Sequence, residues 1–224
     1  MVDTIYFKII YIIAGYMLGS VLFSYIMVKI YGRKDGIRDF SNIDRPGTAG
    51  AGRQYGLKAG LPTFIFDAGK GVAVVLVGQA IGLDQLVIAI ACVAVMVGHN
   101  WPIWFKFRGG GGLATAMGIA GALMLIPFLI LLAIVLAVGF TYKYTLGRTH
   151  KINPNVISGA LGAILFPVFA YIYAYIYDMS MINTYFYNGP MIVVFIAAAI
   201  SLIIILKGII LHFMYRKIPT ANKF

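Results

Sequence analysis

The chain alternates between long apolar runs and short polar segments. The apolar runs lie near residues 5–31, 57–82, 84–104, 113–142, 153–177 and 188–214. About 20 apolar residues in an α-helix cross a hydrocarbon core of about 30 Å, because each residue advances the helix by about 1.5 Å. Each run is therefore long enough for at least one crossing, and the pattern predicts an all-α polytopic membrane protein.

The run at 113–142 is too long for one upright helix and short for two ordinary ones. Pro127 lies near its middle and removes a hydrogen-bond donor from any continuous helix. We therefore expect two short helices that break near Pro127, which raises the total to about seven transmembrane helices.

The composition supports a membrane environment, because 61% of the residues are hydrophobic and only 11% are charged. A soluble domain carries about 25% charged residues. The first apolar run has no short basic segment ahead of it and no clear small-residue cleavage site, so we expect it to be retained rather than removed as a signal peptide. We expect residues 1–224 to form one membrane domain.

The basic residues predict the sidedness of the loops. Positive charge collects at 32–56, 105–112, 143–151 and 215–224, whereas the turn at 82–84 has no Lys or Arg and the loop after the fifth run carries Asp178. Cytoplasmic loops of membrane proteins are enriched in Lys and Arg. The pattern thus places the N-terminus outside, the C-terminus in the cytoplasm and every basic cluster on the cytoplasmic face.

The net charge of +11, from 18 Lys and Arg against seven Asp and no Glu, also bears on partners. Because the basic residues lie between apolar runs, we expect membrane lipids and phosphate groups as partners rather than nucleic acid. The single cysteine, Cys92, excludes an intrachain disulfide and a multi-cysteine metal site, and we expect it to serve packing. With three His, one Cys and no Glu, the sequence predicts neither a metal site nor a cofactor.

Two glycine-rich segments could hold phosphate. The first reads "GRKDGIRDFSNIDRPGTAGAGRQYGLKAG" and carries Arg45, Gly47 and Arg53. Successive amides of glycine-rich turns form concave anion sites, and arginine binds phosphate through two parallel hydrogen bonds. The plainer interpretation is a basic loop that only sets the topology.

The second segment, "GHNWPIWFKFRGGGGLATA", begins at the end of a predicted span. Here His99 precedes Arg108 and four consecutive glycines, and a helix is expected to begin near Leu113. A glycine-rich turn that leads into a helix offers unpaired amides and a favourable dipole to an anion. The alternative is structural: the tryptophans would anchor the interface, and His99 would be a hydrogen-bonded core residue.

Within the second span, "FDAGKG" places Asp67 and Lys70 three residues apart on one helical face, where they can pair. Ionisable residues at membrane depth are costly and usually face protein or a water-filled cavity. Structural pairing and substrate binding are both consistent with this spacing.

At these residues the chain resembles the acyl-phosphate-dependent glycerol-3-phosphate acyltransferases of bacterial membranes, the PlsY family. The matching blocks occur in the family's order along nearly the whole chain. They are "GYMLGSVLFSYIMVKIYGRKDGIRDF", "RPGTAGAGRQYGLKAG", "FDAGKG", "GHNWPIWFKFRGGGGLATA" and the terminal "PTANKF".

The resemblance implies a seven-helix fold in a bacterial inner membrane, with three cytoplasmic motifs around one groove. It implies transfer of a fatty acyl group from acyl phosphate to the 1-hydroxyl of sn-glycerol 3-phosphate, giving lysophosphatidic acid, without a metal or an acyl-enzyme. The patterns and the resemblance together assign catalysis to Arg53 and His99. They assign binding of the phosphorylated substrates to Arg45, Gly47, Asp67, Lys70, Arg108, Gly109, Gly110, Gly111, Gly112, Thr115, Asn222 and Lys223.

The chain departs from the family pattern at five motif positions, which here are Ile43, Arg45, Gly50, Gly111 and Ala221. Gly111 stands where the family has a lysine expected to hold substrate phosphate. Two alternatives to the acyltransferase therefore stay open: an altered relative that binds a phosphorylated lipid or ligand, and a small transporter.

Overall fold

The computed structural model describes residues 4–31, 46–145, 154–179 and 191–215, and these ranges contain helices and no strand. The prediction of an all-α fold is confirmed. A single turn of 3₁₀ helix, Ile103–Phe105, follows the α-helix that ends at Asn100. The α-helices of the described ranges are α1 Ile5–Ser20, α2 Phe23–Tyr31, α3 Thr48–Tyr55, α4 Leu57–Ala80, α5 Gln85–Asn100, α6 Leu113–Leu123, α7 Leu125–Tyr144, α8 Pro154–Met179 and α9 Met191–Tyr215.

Six segments of the described chain are long and apolar enough to cross a membrane, which confirms a polytopic membrane protein. They are Ile5–Tyr31, Leu57–Ala80, Gln85–Phe105, Leu125–Tyr144, Ile157–Ile176 and Met191–Phe213. The apolar helix α6 has only 11 residues and reaches about half of a hydrocarbon core of about 30 Å. The seventh predicted helix is thus present in the bundle but short.

The 113–142 run divides at Met124, three residues before the predicted break at Pro127. Met124 has φ −151° and ψ 68°, which is outside the helical region, so it separates α6 from α7. Pro127 instead lies in the first turn of α7. A missing amide costs little there, because the first amides of a helix have no intrahelical partner.

Small residues let α1 pack closely on α5 and α4 on α6. A Cβ atom at Gly98 of α5 would overlap the Tyr16 carbonyl of α1, and one at Gly71 of α4 would overlap the Thr115 carbonyl of α6. Close approach through glycine is typical of helix packing in membranes. The α4–α6 crossing places Thr115 beside the part of α4 that carries the ionisable pair.

An ion pair identifies one end of the bundle. Lys8 Nζ of α1 lies 2.6 Å from Asp84 Oδ2, and Asp84 also caps α5 by accepting from the Val87 amide at 3.0 Å. The hydrogen bond from Lys8 holds the pKa of the Asp84 carboxyl below its ordinary value. The N-terminal end of α1 and the 82–84 turn therefore share one end, as the charge-derived topology requires, and α5 ends at the opposite one.

The membrane orientation itself stays a prediction, and cysteine labelling tests it. Cys92 is fully buried, so the wild-type protein provides an unreactive background. In intact cells, a membrane-impermeant maleimide is expected to label Thr4→Cys directly and Trp104→Cys only after permeabilisation. Trp104 is 60% exposed beside the basic 105–112 segment. The opposite labelling order would place the N-terminus in the cytoplasm.

Candidate functional site

Among the described residues, a set of polar side chains is buried around the end of α5 that lies away from Asp84. Each is at most 3% exposed. Polar groups at this depth are costly unless they are paired or face a ligand or water. We call this set the polar cluster, and it consists of Asp67 and Lys70 from α4, His99 and Asn100 from α5, Thr115 from α6 and Lys207 from α9.

Lys70 joins α4 to the break between α1 and α2. Its Nζ lies 2.9 Å from Asp67 Oδ1 and donates to the carbonyls of Gly19 at 3.0 Å and Val21 at 2.9 Å. Those carbonyls lie where α1 ends and the chain turns into α2, so they need donors from outside the helix. The predicted pairing of Asp67 with Lys70 is present, and it also supports this helix break.

His99 lies between Asp67 and the glycines. Its Nδ1 is 3.7 Å from Asp67 Oδ1, and its Nε2 faces Gly110, where a Cβ atom would overlap it. Among the described residues, Nδ1 has no hydrogen-bond partner, whereas Asp67 Oδ1 is paired with Lys70. Buried polar atoms in native proteins are rarely left unpaired, so this point of the interior is suited to a polar ligand or water.

The four glycines, Gly109–Gly112, form a turn that we call the glycine turn, and it packs against the end of α5. Cβ atoms at Gly109 would overlap the carbonyls of His99 and Asn100, and one at Gly112 would lie 2.7 Å from Asn100 Oδ1. Gly112 also has φ +79°, a conformation that favours glycine. At Gly111 the nearest atom is Leu211 Cδ1 at 4.0 Å, so this position alone has room for a side chain.

The chain enters the glycine turn through strained backbone. Lys106 and Phe107 both have positive φ, at 52° and 60°. Two successive non-glycine residues in the left-handed region are uncommon, and each costs of order 1–3 kcal/mol. The bend folds the turn back beneath α5, where the Gly110 amide donates to the His99 carbonyl at 3.2 Å.

Two helices begin at or beside the glycine turn. Gly112 is the N-cap of α6 and Gly47 is the N-cap of α3, and neither helix has a side-chain cap. The Pro46 carbonyl, next to Gly47, would lie 3.0 Å from a Cβ at Gly110. Helix N-termini carry unpaired amides and partial positive charge, and together they favour a bound anion. No carbonyl of the described residues accepts from the backbone amides of Gly111 and Gly112.

Lys207 and Asn100 belong to the site but did not emerge from the sequence analysis. Lys207 Nζ donates to the Asn100 carbonyl at 2.5 Å and lies 5.0 Å from the centre of the Trp101 ring. The sequence could have indicated Lys207, because an isolated cation in an otherwise apolar span is a functional candidate. The sequence did not distinguish Asn100 from an ordinary polar residue at the end of a span.

The site residues that the sequence predicted divide into three groups. Gly47, Asp67, Lys70, His99, Thr115 and the glycine turn come together at one end of the bundle. Arg53 and Arg108 are exposed at the same end, in the last turn of α3 and directly before the glycine turn. Arg45, Asn222 and Lys223 lie outside the described residues, as do Ile43 and Ala221.

Part of the first glycine-rich segment is helical. Residues 48–55 form the helix α3 rather than a series of anion-binding turns, and Gly50 is buried within it. Glycine here serves packing, because Gly52 lies against Gly60 of α4. Within the described ranges, no group of three or more His, Cys, Asp or Glu is placed to hold a metal ion.

Comparisons with known proteins find relatives that match most of the chain. A family model described as glycerol-3-phosphate acyltransferase matches residues 9–215. A glycerol-3-phosphate acyltransferase of Shouchella clausii is 37% identical over 172 residues, which cover 74% of this chain and 80% of that protein. One from Thermoanaerobacter pseudethanolicus is 34% identical over 195 residues, covering 86% and 84%.

The fold also resembles that of a solved structure. The crystal structure of PlsY, an integral membrane glycerol 3-phosphate acyltransferase in its glycerol 3-phosphate form, superposes with a TM-score of 0.68. The two chains are 23% identical, and the match covers 94% of this chain and 93% of PlsY.

Proposed function

The chain belongs to the glycerol-3-phosphate acyltransferase family, and on that premise we propose that it transfers a fatty acyl group from acyl phosphate to the 1-hydroxyl of sn-glycerol 3-phosphate. The product is lysophosphatidic acid, an intermediate of phospholipid synthesis. We propose that the reaction takes place on the cytoplasmic face, where the charge pattern places the glycine turn, and that the acyl chain enters from the bilayer.

One observation carries this proposal: the glycine turn packs against the buried His99, and two helices begin at or beside that turn. Both substrates bear phosphate, and unpaired amides at helix N-termini are suited to phosphate oxygens. The family's relatives bear the name of this activity. A site that holds two phosphates beside a lipid-facing bundle fits an acyl transfer between a lipid-like donor and a polar acceptor.

The reaction needs positioning more than a strong catalyst, because phosphate is already a good leaving group. The 1-oxygen of the acceptor forms an ester bond with the acyl carbon, and the bond between that carbon and the phosphate oxygen breaks. We propose that His99 Nε2 accepts the hydroxyl proton and that Asp67, 3.7 Å from Nδ1, orients the ring. The glycine-turn amides and Arg53 would stabilise the negative charge on oxygen and phosphate.

Substitutions in the glycine turn test its closeness to His99. Gly110→Ala is expected to lower kcat/KM by tenfold or more, because the methyl group would overlap His99 Nε2 and press on the Pro46 carbonyl. Gly111→Ala is the matched control, since only Leu211 Cδ1 lies near, at 4.0 Å. It is expected to stay within about twofold of wild type. Equal effects of the two substitutions would mean that the turn does not pack as described.

The experiment that tests the function uses purified protein in lipid nanodiscs with labelled acyl phosphate and sn-glycerol 3-phosphate. Lysophosphatidic acid that forms only when both substrates are present supports the proposal. Saturable binding of glycerol 3-phosphate without formation of product would instead indicate an altered relative that binds a phosphorylated ligand. Uptake of glycerol 3-phosphate into sealed proteoliposomes without acylation would indicate transport.

A further inference from the structure

Lys207 is a buried ammonium without a negative partner in the described part of the chain. It is 2% exposed, and among the described residues its single hydrogen-bond acceptor is the Asn100 carbonyl. An ammonium carries three donors and is expensive to bury without compensating charge. The Trp101 ring, 5.0 Å away, compensates part of this cost through its electron-rich face. Within the described ranges, the other two donors of Lys207 have no acceptor.

Lys207 lies beside the glycine turn. The Asn100 carbonyl that accepts from Lys207 also lies 2.7 Å from the Cβ position of Gly109. One helical turn along α9, Leu211 is the nearest neighbour of the Gly111 Cβ position, at 4.0 Å. Residues four apart share a helix face, so the face of α9 that carries Lys207 faces the glycine turn.

Other groups around this point also lack partners. The Asn100 side-chain oxygen and nitrogen and Thr115 Oγ1 are buried and have no hydrogen bond among the described residues. A cation, an amide, a hydroxyl and unpaired backbone amides together form a donor-rich site. Such a set matches a phosphate oxyanion, which accepts several charge-assisted hydrogen bonds.

We infer that Lys207 binds the phosphate group of a substrate and supplies the cation that the glycine turn lacks at Gly111. This inference rests on the proposed function for the identity of the substrates. The phosphate belongs either to glycerol 3-phosphate or to the acyl phosphate, whose phosphate leaves as inorganic phosphate. Lys207 is a binding residue, and the hydrogen bond to Asn100 fixes its ammonium in place.

A purely structural role is the alternative, because Asn100 ends α5 and its carbonyl needs a donor in any case. Lys207→Gln separates the two roles: the glutamine amide can still donate to that carbonyl but has no charge. Lys143→Gln removes a cation from α7, outside the polar cluster, and serves as the control. Gly111→Lys in the Lys207→Gln background restores a cation at the position with open space.

The test measures binding by isothermal titration calorimetry, with sn-glycerol 3-phosphate and inorganic phosphate as separate probes. Lys207→Gln is expected to raise the Kd of one probe roughly ten- to hundredfold, as expected for loss of a charge-assisted hydrogen bond. The affected probe identifies whose phosphate Lys207 holds. Lys143→Gln is expected to leave both Kd values unchanged, and the added Gly111→Lys substitution to recover most of the loss.

Unchanged Kd values for both probes in a folded Lys207→Gln protein would overturn the inference. If that variant does not fold, the same titrations are made with Lys207→Met, which is similar in size and carries no charge: a raised Kd for one probe supports the inference, and unchanged Kd values for both overturn it. Because these measurements require no turnover, a failure of the inference can be distinguished from a failure of the proposed function, which fails if the wild-type protein makes no lysophosphatidic acid.

Discussion

Replacing Asp67 with leucine is expected to destabilise the folded protein by about 3–5 kcal/mol, because it leaves the Lys70 ammonium buried without its counter-ion. The two groups are 2.9 Å apart, and each side chain is 1% exposed. The loss would also loosen the α1–α2 break, where Lys70 binds the Gly19 and Val21 carbonyls. The free energy of unfolding can be measured in mixed micelles titrated with sodium dodecyl sulfate.

Two comparisons make this result specific. Asp84→Asn breaks the ion pair with Lys8, in which the Asp84 side chain is 46% exposed, and should cost less than about 1 kcal/mol. A double-mutant cycle with Lys70→Met should give a double variant that loses less than the sum of the two single variants. Additive losses, or equal losses for Asp67→Leu and Asp84→Asn, would show that the buried pair does not hold the bundle together.

Replacing Arg53 with alanine is expected to lower kcat/KM for lysophosphatidic acid formation by at least about a hundredfold, with little change in stability. Arginine binds phosphate through two hydrogen bonds, and each charge-assisted bond contributes about 1.5–3 kcal/mol. Arg53 is exposed in the last turn of α3, so its truncation leaves the buried packing intact. The acyl-transfer assay in nanodiscs measures the rate, and thermal unfolding measures the stability.

The matched control for Arg53 is Lys58→Ala, which removes an exposed cation from the first turn of the neighbouring helix α4. It is expected to leave kcat/KM within about twofold, because exposed substitutions away from a site have small effects. Arg53→Lys should recover only part of the activity, since a lysine cannot form the paired hydrogen bonds of a guanidinium. A fully active Arg53→Ala protein would remove Arg53 from the site.

Much of the fold followed from the apolar runs, because a bilayer admits few solutions for a chain that must pair all of its backbone groups. The runs at 57–82 and 84–104 correspond to α4 and to α5 with its 3₁₀ turn. The division of the 113–142 run was also predictable, but its position was not. The break was predicted at Pro127 because proline interrupts a helix interior. A proline in the first turn of a helix is well tolerated, however, and Pro127 lies in the first turn of α7.

The site was predictable where residues are close in sequence and less so where they meet through packing. The spacing of Asp67 and Lys70 on one helix was enough to predict their pairing. Lys207 reaches Asn100 across 107 positions, and no sequence period encodes such a contact. The roles of the glycines also depend on packing: Gly109, Gly110 and Gly112 lie against α5, whereas the open position Gly111 looks the same in the sequence.

A structure of the protein with bound sn-glycerol 3-phosphate tests the central claim most directly. The phosphate oxygens are expected within hydrogen-bond distance of the glycine-turn amides, at the end of α5 that carries His99. The other end of the bundle offers a competing place, a cavity of about 470 Å³ lined by residues that include Leu76, Gln79 and Ile88. Glycerol 3-phosphate ordered in that cavity, with the glycine turn empty, would contradict the account.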